Sequence, residues 1–189
     1  FHVLCENSSE TLERTLQVFE DKFNSLIKEA RWLNLGGGHL ITKENYNVEL
    51  LVQIIKGLHQ RYPNLEEIIL EPGEAIGWQT GVLLAKIQDI IKCEHFDIAM
   101  LDTSFACHMP DCLEMPYKPI IIGAHEPTKD DKYIYRMGGN SCLAGDFMGM
   151  GDYAFTAPLH IGQTIIFDDM IHYTMVKTTF FNGIQHPHI

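Results

Sequence analysis

Apolar residues in the first seventy positions recur with the spacing of two amphipathic helices. Between residues 9 and 29 they fall at steps of three and four, at Leu12, Leu16, Phe19, Phe23, Leu26 and Ile27. This spacing places them on one face of a helix. Ser8 and Ser9 precede the run as N-cap candidates. A second run with the same period covers residues 48–58 and predicts a helix that closes near Tyr62.

Short apolar runs flank the two helices and predict strands. They cover residues 1–4, 32–35 and 68–70. The resulting order of strand, helix, strand, helix, strand is the alternation that builds parallel sheets. Because these runs are continuously apolar, we expect the strands to be buried on both faces.

The pattern changes near residue 77. Short strand candidates follow, separated by Gly, Pro, Asp and Asn clusters, at residues 82–91, 96–101, 120–122, 133–137 and 163–167. No long helical periodicity accompanies them. The sequence therefore predicts an α/β unit over residues 1–77, followed by an all-β domain over residues 78–189.

Composition and charge narrow the class of protein. The chain is 46% hydrophobic and 21% charged, which is typical of globular domains, and its formal net charge is −11. The negative field disfavours nucleic acid and anionic lipid and favours a cationic ligand such as a polyamine or a basic amino acid. No apolar run approaches the roughly 20 residues of a membrane span. Five scattered cysteines predict reduced thiols, hence a cytoplasmic protein.

The ends of the chain indicate a longer polypeptide. It begins at Phe1 without a methionine, inside an apolar run, and ends at Ile189 without a polar tail. We therefore expect these residues to be part of a larger protein.

Three features of the first unit carry candidate chemistry. The triplet Gly36, Gly37 and Gly38 stands between a strand and a helix, where backbone amides can approach a phosphate closely, although a glycine triplet is more often a plain loop. Glu71 ends an apolar strand before Pro-Gly, at the rim where α/β barrels keep catalytic groups; a solvated glutamate is the alternative. A lone histidine such as His2 is more often structural than functional.

The second unit offers a thiol and a carboxylate on one loop. Cys142 and Asp146 lie in a glycine-framed segment, where they could donate a proton and bind a cation; a plain turn is the alternative. Tyr173 is most simply a packed aromatic. A zinc site is a further hypothesis, because potential ligands occur at Cys93, His95, Cys107, His108 and Cys112. These residues lack paired C-x2-C spacing, so burial of the thiols is the favoured interpretation.

Taken in order, the motifs FHV, GGG, EPGE, LDTSFACHMPD, SCLAGDFMGMGDY and HYTMVKTTFFNGI resemble the C-terminal half of the carboxynorspermidine (carboxyspermidine) decarboxylase family. These are pyridoxal-phosphate enzymes related to ornithine, arginine and diaminopimelate decarboxylases and, in fold, to alanine racemase. The resemblance implies the last part of a (β/α)8 TIM-type barrel, followed by a β-barrel domain.

The resemblance also implies roles for single residues. His2 matches the histidine that stacks on the cofactor ring, the three glycines match those that hold its phosphate, and Glu71 matches the acid bonded to the pyridine nitrogen. Tyr173 matches a tyrosine near the phosphate. Cys142 matches the cysteine that reprotonates the substrate carbon, on a loop that reaches the neighbouring subunit's site, which implies a homodimer with shared sites.

Substrate contacts are implied at the distal end of the pocket. Asp102 and Asp146 match positions that face the substrate amines. Glu74 replaces an arginine that ornithine- and diaminopimelate-type relatives usually carry after EPG, which favours a substrate with more positive charge, as in a carboxylated triamine. Cys5 stands where relatives often place a phosphate-binding serine, so its role is open.

The lysine that binds the cofactor covalently has no match in this chain. The resemblance places it in the N-terminal half of the enzyme, which is therefore an expected partner of these residues. The predicted activity is decarboxylation of carboxynorspermidine or carboxyspermidine to norspermidine or spermidine. The alternatives are another basic amino-acid decarboxylase of the same fold, a non-catalytic regulatory relative, and a zinc-dependent interaction domain.

Overall fold

A computed structural model describes residues 1–2 and 5–189 of the chain. The residues form two compact units, Phe1–Trp78 and Gln79–Ile189. The division falls one residue beyond the predicted boundary. The assignment of the units to a barrel part and a separate β-barrel domain stays a prediction.

The first unit alternates helices with short parallel strands. Its elements are α1 (Ser9–Glu29), β1 (Trp32–Asn34), α2 (Val48–Arg61), β2 (Glu67–Ile69) and the short α3 (Gly73–Gly77). Strands β1 and β2 pair in parallel, with Leu33 opposite Ile68. The two predicted helices and the parallel pairing are therefore confirmed. For the strand predicted over residues 1–4, Val3 and Leu4 lie outside the described residues, and Phe1 and His2 carry no strand.

The apolar faces of both helices pack on the inner side of this small sheet. The core joins Leu12 and Leu16 of α1 with Leu51 and Leu58 of α2, against Leu33. Each buried leucine side chain contributes about 1.5–3 kcal/mol by leaving water.

The expectation that the strands are buried on both faces is wrong for this unit. Trp32 is 60% exposed, and Glu67 is exposed as well. Among the described residues, this sheet has two strands. The apolar core lies on the side where Leu33 points, and Trp32 points to the opposite side.

The second unit is built on a five-stranded mixed sheet. Its strands are β3 (Leu83–Ile91), β4 (Asp97–Leu101), β5 (Tyr133–Gly138), β6 (Tyr153–Phe155) and β7 (Thr164–Phe167), in the spatial order β6-β5-β4-β3-β7. Strands β4 and β5 are parallel, and the other neighbours are antiparallel. Four of the five predicted strands are confirmed.

The strand predicted over residues 120–122 is wrong, and β6 was not predicted. Ile121 makes only a single bridge, to Phe167. Pro119 precedes the run, and Gly123, at φ +86°, ends it, so pairing cannot extend in either direction. Strand β6 is only three residues long, although all three are buried, and so short an apolar run gives little periodic signal.

Short helices interrupt the second unit, so the expectation of an all-β domain needs correction. They are α4 (Phe105–His108), α5 (Asp111–Glu114) and α6 (His172–Val176), with a 3-10 turn at Phe181–Gly183. A helix of four or five residues is about one turn and shows no detectable helical period. Ser104 caps α4, because its Oγ accepts a hydrogen bond from the Cys107 amide at 3.0 Å.

The core of this unit fixes the end of β5. Met137 of β5 packs with Ile87 of β3, Leu101 of β4, Phe105 of α4 and Phe167 of β7, all nearly or fully buried. Beyond Gly138 the chain leaves this core as a loop and returns at Met148, whose amide bonds the Met137 carbonyl at 2.9 Å. The loop therefore projects from a rigid base. No helix among the residues that the structure describes is long and apolar enough to cross a membrane.

Candidate functional site

The first unit brings His2, the glycine triplet and Glu71 together at the carboxyl ends of β1 and β2. A Cβ atom added to Gly37 would lie 2.5 Å from the Glu71 carbonyl oxygen and 3.1 Å from His2 Nε2. A Cβ on Gly36 would overlap the Phe1 and His2 backbone. Gly36 also has φ +74°, which a residue with a side chain rarely adopts. Only glycine fits between His2 and the backbone of Glu71, which follows β2.

Backbone hydrogen bonds between the strand ends hold this arrangement. The Leu35 amide donates to the Ile69 carbonyl, and the Glu71 amide donates to the Gly36 carbonyl, both at 2.9 Å. The Phe1 nitrogen donates to the Asn34 carbonyl at 2.7 Å, which places the start of the described chain beside β1. Parallel strands thus end at one edge, as in other α/β sheets that keep ligand sites there.

Asn34 orients the Glu71 carboxylate. Its Nδ2 donates to Glu71 Oε1 at 2.7 Å, and its Oδ1 accepts from the Gly36 amide at 2.8 Å. One carboxamide therefore links the acid to the glycine turn, and the Glu71 side chain is exposed for a further partner.

His39 follows the triplet and is buried, with 1% of its surface exposed. Neither ring nitrogen has a hydrogen-bond partner among the described residues. Burial lowers the pKa of His39 below its usual value, and the nearby imidazole of His2 acts in the same direction. The charged form of the ring is therefore disfavoured.

These residues fit a flat, phosphorylated cofactor. Gly36 and Gly37 allow the backbone and the His2 imidazole to approach more closely than a Cβ would permit, and a carboxylate able to bond a protonated ring nitrogen lies close by. Such a carboxylate favours the charged form of a pyridine. His2, Gly36, Gly37, Gly38 and Glu71 are the residues that would hold the group.

In the second unit, Cys142 lies in the loop between β5 and β6. The thiol is exposed, and the residue adopts φ +62°. The loop base is closed by a bridge between Gly138 and Phe147 and by the Gly139 amide, which donates to the Asp146 carbonyl at 2.7 Å. The thiol is therefore accessible from outside the loop.

Asp146 is buried inside the same loop, and its carboxylate accepts hydrogen bonds that stabilise the loop. Oδ2 accepts from the Ser141 amide at 3.0 Å and from Ser141 Oγ at 2.6 Å, and Oδ1 accepts from the Ala106 amide at 3.0 Å. A Cβ on Gly139 would overlap this carboxylate. Within the second unit, the observed geometry is that of a loop-holding group; the predicted contact of Asp146 with substrate amines stays untested.

Three further predicted residues are Asp102 and Tyr173 in the second unit and Glu74 in the first. Asp102 is exposed after β4, and its Oδ1 accepts from the Lys86 amide at 2.7 Å. Glu74 is half-buried in α3. Tyr173 is 60% exposed in α6, with Lys177 Nζ 5.3 Å from its ring centre. The simplest interpretation of Tyr173, a packed aromatic, is therefore wrong.

The zinc interpretation finds no support among residues 1–2 and 5–189, where no three potential ligands come together. Cys107 and Cys112 are buried, and burial raises the pKa of Cys112 to about 11. His108 is bonded on both ring nitrogens, to Thr103 Oγ1 at 2.7 Å and to the Gln185 carbonyl at 2.9 Å.

Asn34, His39 and Asn182 were not singled out from the sequence, and His108 was considered only as a possible zinc ligand. A polar residue at the end of an apolar strand, such as Asn34, was a usable signal. Asn182 is revealed by a long-range contact, because it bonds Ser141 across 41 positions.

Comparison with known proteins gives one family and several relatives. A family model described as pyridoxal-dependent decarboxylase, C-terminal sheet domain, matches residues 9–171. The chain is 53% identical over 188 residues to the carboxyaminopropylagmatine decarboxylase of Synechocystis, covering 100% of this chain and 48% of that protein. It is 46% identical over 199 residues to the carboxynorspermidine/carboxyspermidine decarboxylase of Campylobacter jejuni, covering 100% of this chain and 51% of that protein.

A solved structure shares the architecture. The crystal structure of the Campylobacter jejuni carboxynorspermidine decarboxylase complexed with norspermidine is 47% identical and superposes with a TM-score of 0.90. The match covers 99% of this chain and 52% of that chain. The chain thus spans about half the length of the relatives it matches.

Proposed function

Because the chain belongs to the family of pyridoxal-dependent decarboxylases, we propose that the whole protein decarboxylates a carboxylated polyamine. The observation that carries the proposal is the convergence of His2, Gly37 and Glu71 on one cradle. The product would be the corresponding polyamine and carbon dioxide, which makes the protein a carboxy-lyase of polyamine biosynthesis.

The first unit would bind pyridoxal 5'-phosphate. His2 would stack on the ring, the amides of Gly36, Gly37 and Gly38 would receive the phosphate, and Glu71 would keep the ring nitrogen protonated. When bound, the cofactor supplies an electron sink for the carbon–carbon bond that breaks. The covalently bonding lysine would come from the N-terminal half of the protein, and Tyr173 would lie near the phosphate.

The second unit would supply the proton. Cys142, exposed on its loop, would donate a proton to the substrate carbon after carbon dioxide leaves. A homodimer in which this loop completes the neighbouring subunit's site accounts for an exposed thiol on a rigid base. The proposed architecture of the whole protein is a (β/α)8 barrel followed by a β-barrel domain.

A polycationic substrate fits the charge of the chain. The net charge of −11 attracts amines, and Asp102, Glu74 and Asp146 are the proposed acidic partners for the distal end. The relatives named above act on carboxynorspermidine, carboxyspermidine or carboxyaminopropylagmatine, according to their names. The 53% identity to the first of them adds a guanidine-bearing substrate as a second candidate. The same field disfavours nucleic acid and anionic membranes, consistent with a cytoplasmic enzyme.

A substrate panel on the full-length protein tests the proposal. We expect carbon dioxide release from carboxynorspermidine, carboxyspermidine or carboxyaminopropylagmatine at a kcat/KM at least about a hundredfold above that for ornithine or diaminopimelate. A preference for either amino acid would establish the alternative enzyme. A colourless protein that borohydride does not modify would indicate the non-catalytic relative.

Mixing inactive subunits tests the shared sites. Glu71→Gln and Cys142→Ala proteins are combined and allowed to exchange. If each site uses Glu71 from one subunit and Cys142 from the other, half of the dimers are mixed and each has one intact site, which restores roughly a quarter of the activity. No recovery after verified exchange would place both residues in one subunit's site.

A further inference from the structure

Asn182 lies in the C-terminal segment, defined here as residues 179–186, and reaches the loop that carries Cys142. Its Nδ2 donates a hydrogen bond to the Ser141 carbonyl at 2.6 Å. Ser141 is fully buried and directly precedes Cys142. The bond therefore joins the backbone before the thiol to a segment 41 positions away.

The peptide that Asn182 binds is the one that orients Cys142. The Ser141 carbonyl and the Cys142 amide belong to the same planar unit, so a bond to the carbonyl fixes one side of the rotation about the Cys142 N–Cα bond. That rotation is the φ angle of Cys142, which stands at +62°. Residues with a side chain keep such left-handed angles only where their surroundings impose them.

Asp146 holds Ser141 from the other side. Its Oδ2 accepts both the Ser141 amide and hydroxyl, and its Oδ1 accepts the Ala106 amide of α4. All three polar groups of Ser141 are thus paired, two with Asp146 and one with Asn182. Residues 143–145, which follow the cysteine, are exposed, and the Leu143 carbonyl accepts the Asp146 amide at 3.0 Å, so the backbone is held on both sides of Cys142.

The C-terminal segment is itself anchored. The Thr179 amide donates to the Cys107 carbonyl at 3.0 Å, and His108 Nε2 donates to the Gln185 carbonyl at 2.9 Å. The Phe180 and His186 rings stack with centres 4.0 Å apart. Asn182 is therefore presented from a fixed turn, and its bond can transmit that rigidity to Ser141.

We propose that Asn182 and Asp146 are positioning residues that hold Cys142 in its left-handed conformation, so that the C-terminal segment sets the direction of the thiol. The consequence for turnover rests on the proposed function of Cys142 as proton donor. The conformational part concerns the loop alone and is measurable without catalysis.

The test uses the full-length protein with Asn182→Asp. Aspartate has nearly the same shape and tolerates the φ of +54° at this position. It replaces the donating amide group by an oxygen that repels the Ser141 carbonyl. Asn182→Gly, which removes the bond and the strain together, is the second variant should the first fail to fold. Gln185→Ala is the matched control, because it removes a carboxamide of the same segment but leaves Ser141 untouched.

Two quantities are measured. The first is the rate of Cys142 alkylation by iodoacetamide in protein stripped of cofactor, resolved by peptide mass spectrometry from Cys5 and Cys93. We expect a change of about threefold or more in the Asn182 variants and none in Gln185→Ala. The second is the fraction of turnovers that yield aldehyde instead of amine. Aldehyde forms when the proton is delivered to the cofactor and not to the substrate carbon. We expect it to rise about tenfold or more with KM within about twofold.

The outcomes separate the two claims. Alkylation rates equal to those of the unaltered protein in both Asn182 variants would overturn the positioning role, whatever the activity of Cys142→Ala. An altered alkylation rate in the Asn182 variants supports the positioning role even if Cys142→Ala keeps full activity. Full activity of Cys142→Ala would contradict only the proposed role of Cys142 as proton donor.

Discussion

Asn34 Nδ2 lies 2.7 Å from Glu71 Oε1, so the last residue of β1 orients the acid that follows β2. The same carboxamide accepts the Gly36 amide at 2.8 Å. One side chain therefore couples the proposed ring-nitrogen partner to the proposed phosphate cradle. A change at Glu71 tests the electrostatic part of this site separately from its shape.

Glu71→Gln should lower kcat by at least about a hundredfold on the best carboxylated polyamine. Glutamine keeps the shape of glutamate but cannot hold a proton on the ring nitrogen, so the cofactor would withdraw electrons less strongly. Steady-state kinetics on the full-length protein measure the loss. Glu67→Gln, an exposed glutamate on β2, is the matched control. Equal rates for the two variants would contradict the proposed role.

Gly37→Ala should weaken cofactor binding. The new Cβ would lie 2.5 Å from the Glu71 carbonyl and 3.1 Å from His2 Nε2, so the cradle must open. We expect the affinity for pyridoxal phosphate, followed by visible absorbance, to fall at least tenfold, about 1.4 kcal/mol or more. Gly57→Ala, inside α2, meets only the flexible end of Arg61. It should bind the cofactor normally and be as stable or up to about 1 kcal/mol more stable.

The spacing of apolar residues predicts the long elements of this fold. The elements that it does not predict depend on contacts between distant parts of the chain. Helices α1 and α2 follow from apolar spacing because each repeats over several turns. Strand β6 and the one-turn helices were not predicted, because elements of three to five residues are too short to show a periodic pattern of apolar residues. The glycine triplet and Glu71 could be selected as candidates, since each residue type limits the chemistry available to it.

The role of Asp146 shows what sequence cannot supply. Its spacing from Cys142 suggested a cation-binding group, yet its carboxylate accepts bonds from Ser141 and from the amide of Ala106, 40 positions earlier. The hydrogen-bond partners of a carboxylate depend on segments of the chain that come into contact only after folding. The same holds for Asn182, whose motif is recognisable but whose bond to Ser141 is not encoded locally.

Cys142→Ala should reduce amine formation at least about a hundredfold and raise the share of aldehyde product, because no group on the loop would deliver the proton to the substrate carbon. Product analysis by mass spectrometry measures both quantities. Cys93→Ala removes another exposed thiol and should change neither. A Cys142→Ala protein with unaltered rate and product would exclude the thiol as the proton donor.

His108 should make the second unit less stable in mild acid. Its Nδ1 accepts bonds from Thr103 Oγ1 and from the Ser104 amide at 3.2 Å, while Nε2 donates to the Gln185 carbonyl. Protonation would place a new N–H on Nδ1 facing the Ser104 N–H. The two donors would repel each other, because the backbone amide of Ser104 cannot rotate away. Burial lowers the pKa of His108 below 6.5, assisted by the nearby His186 and opposed by the bond to Gln185.

The sign of the pH effect follows from this lowered pKa. Between the folded and unfolded pKa values of His108, the unfolded chain binds more protons. The stabilisation from neutral His108 is therefore complete above about pH 6.5 and is lost as the pH falls toward the lower folded value. We expect the melting temperature of the full-length protein to drop between pH 7.5 and pH 5.5, and to drop less in His108→Gln. His39 is buried with a lowered pKa as well and should account for part of the remaining slope. His59→Gln, at an exposed position of α2, should keep the full slope; an equally steep slope in His108→Gln would show that His108 does not titrate on unfolding.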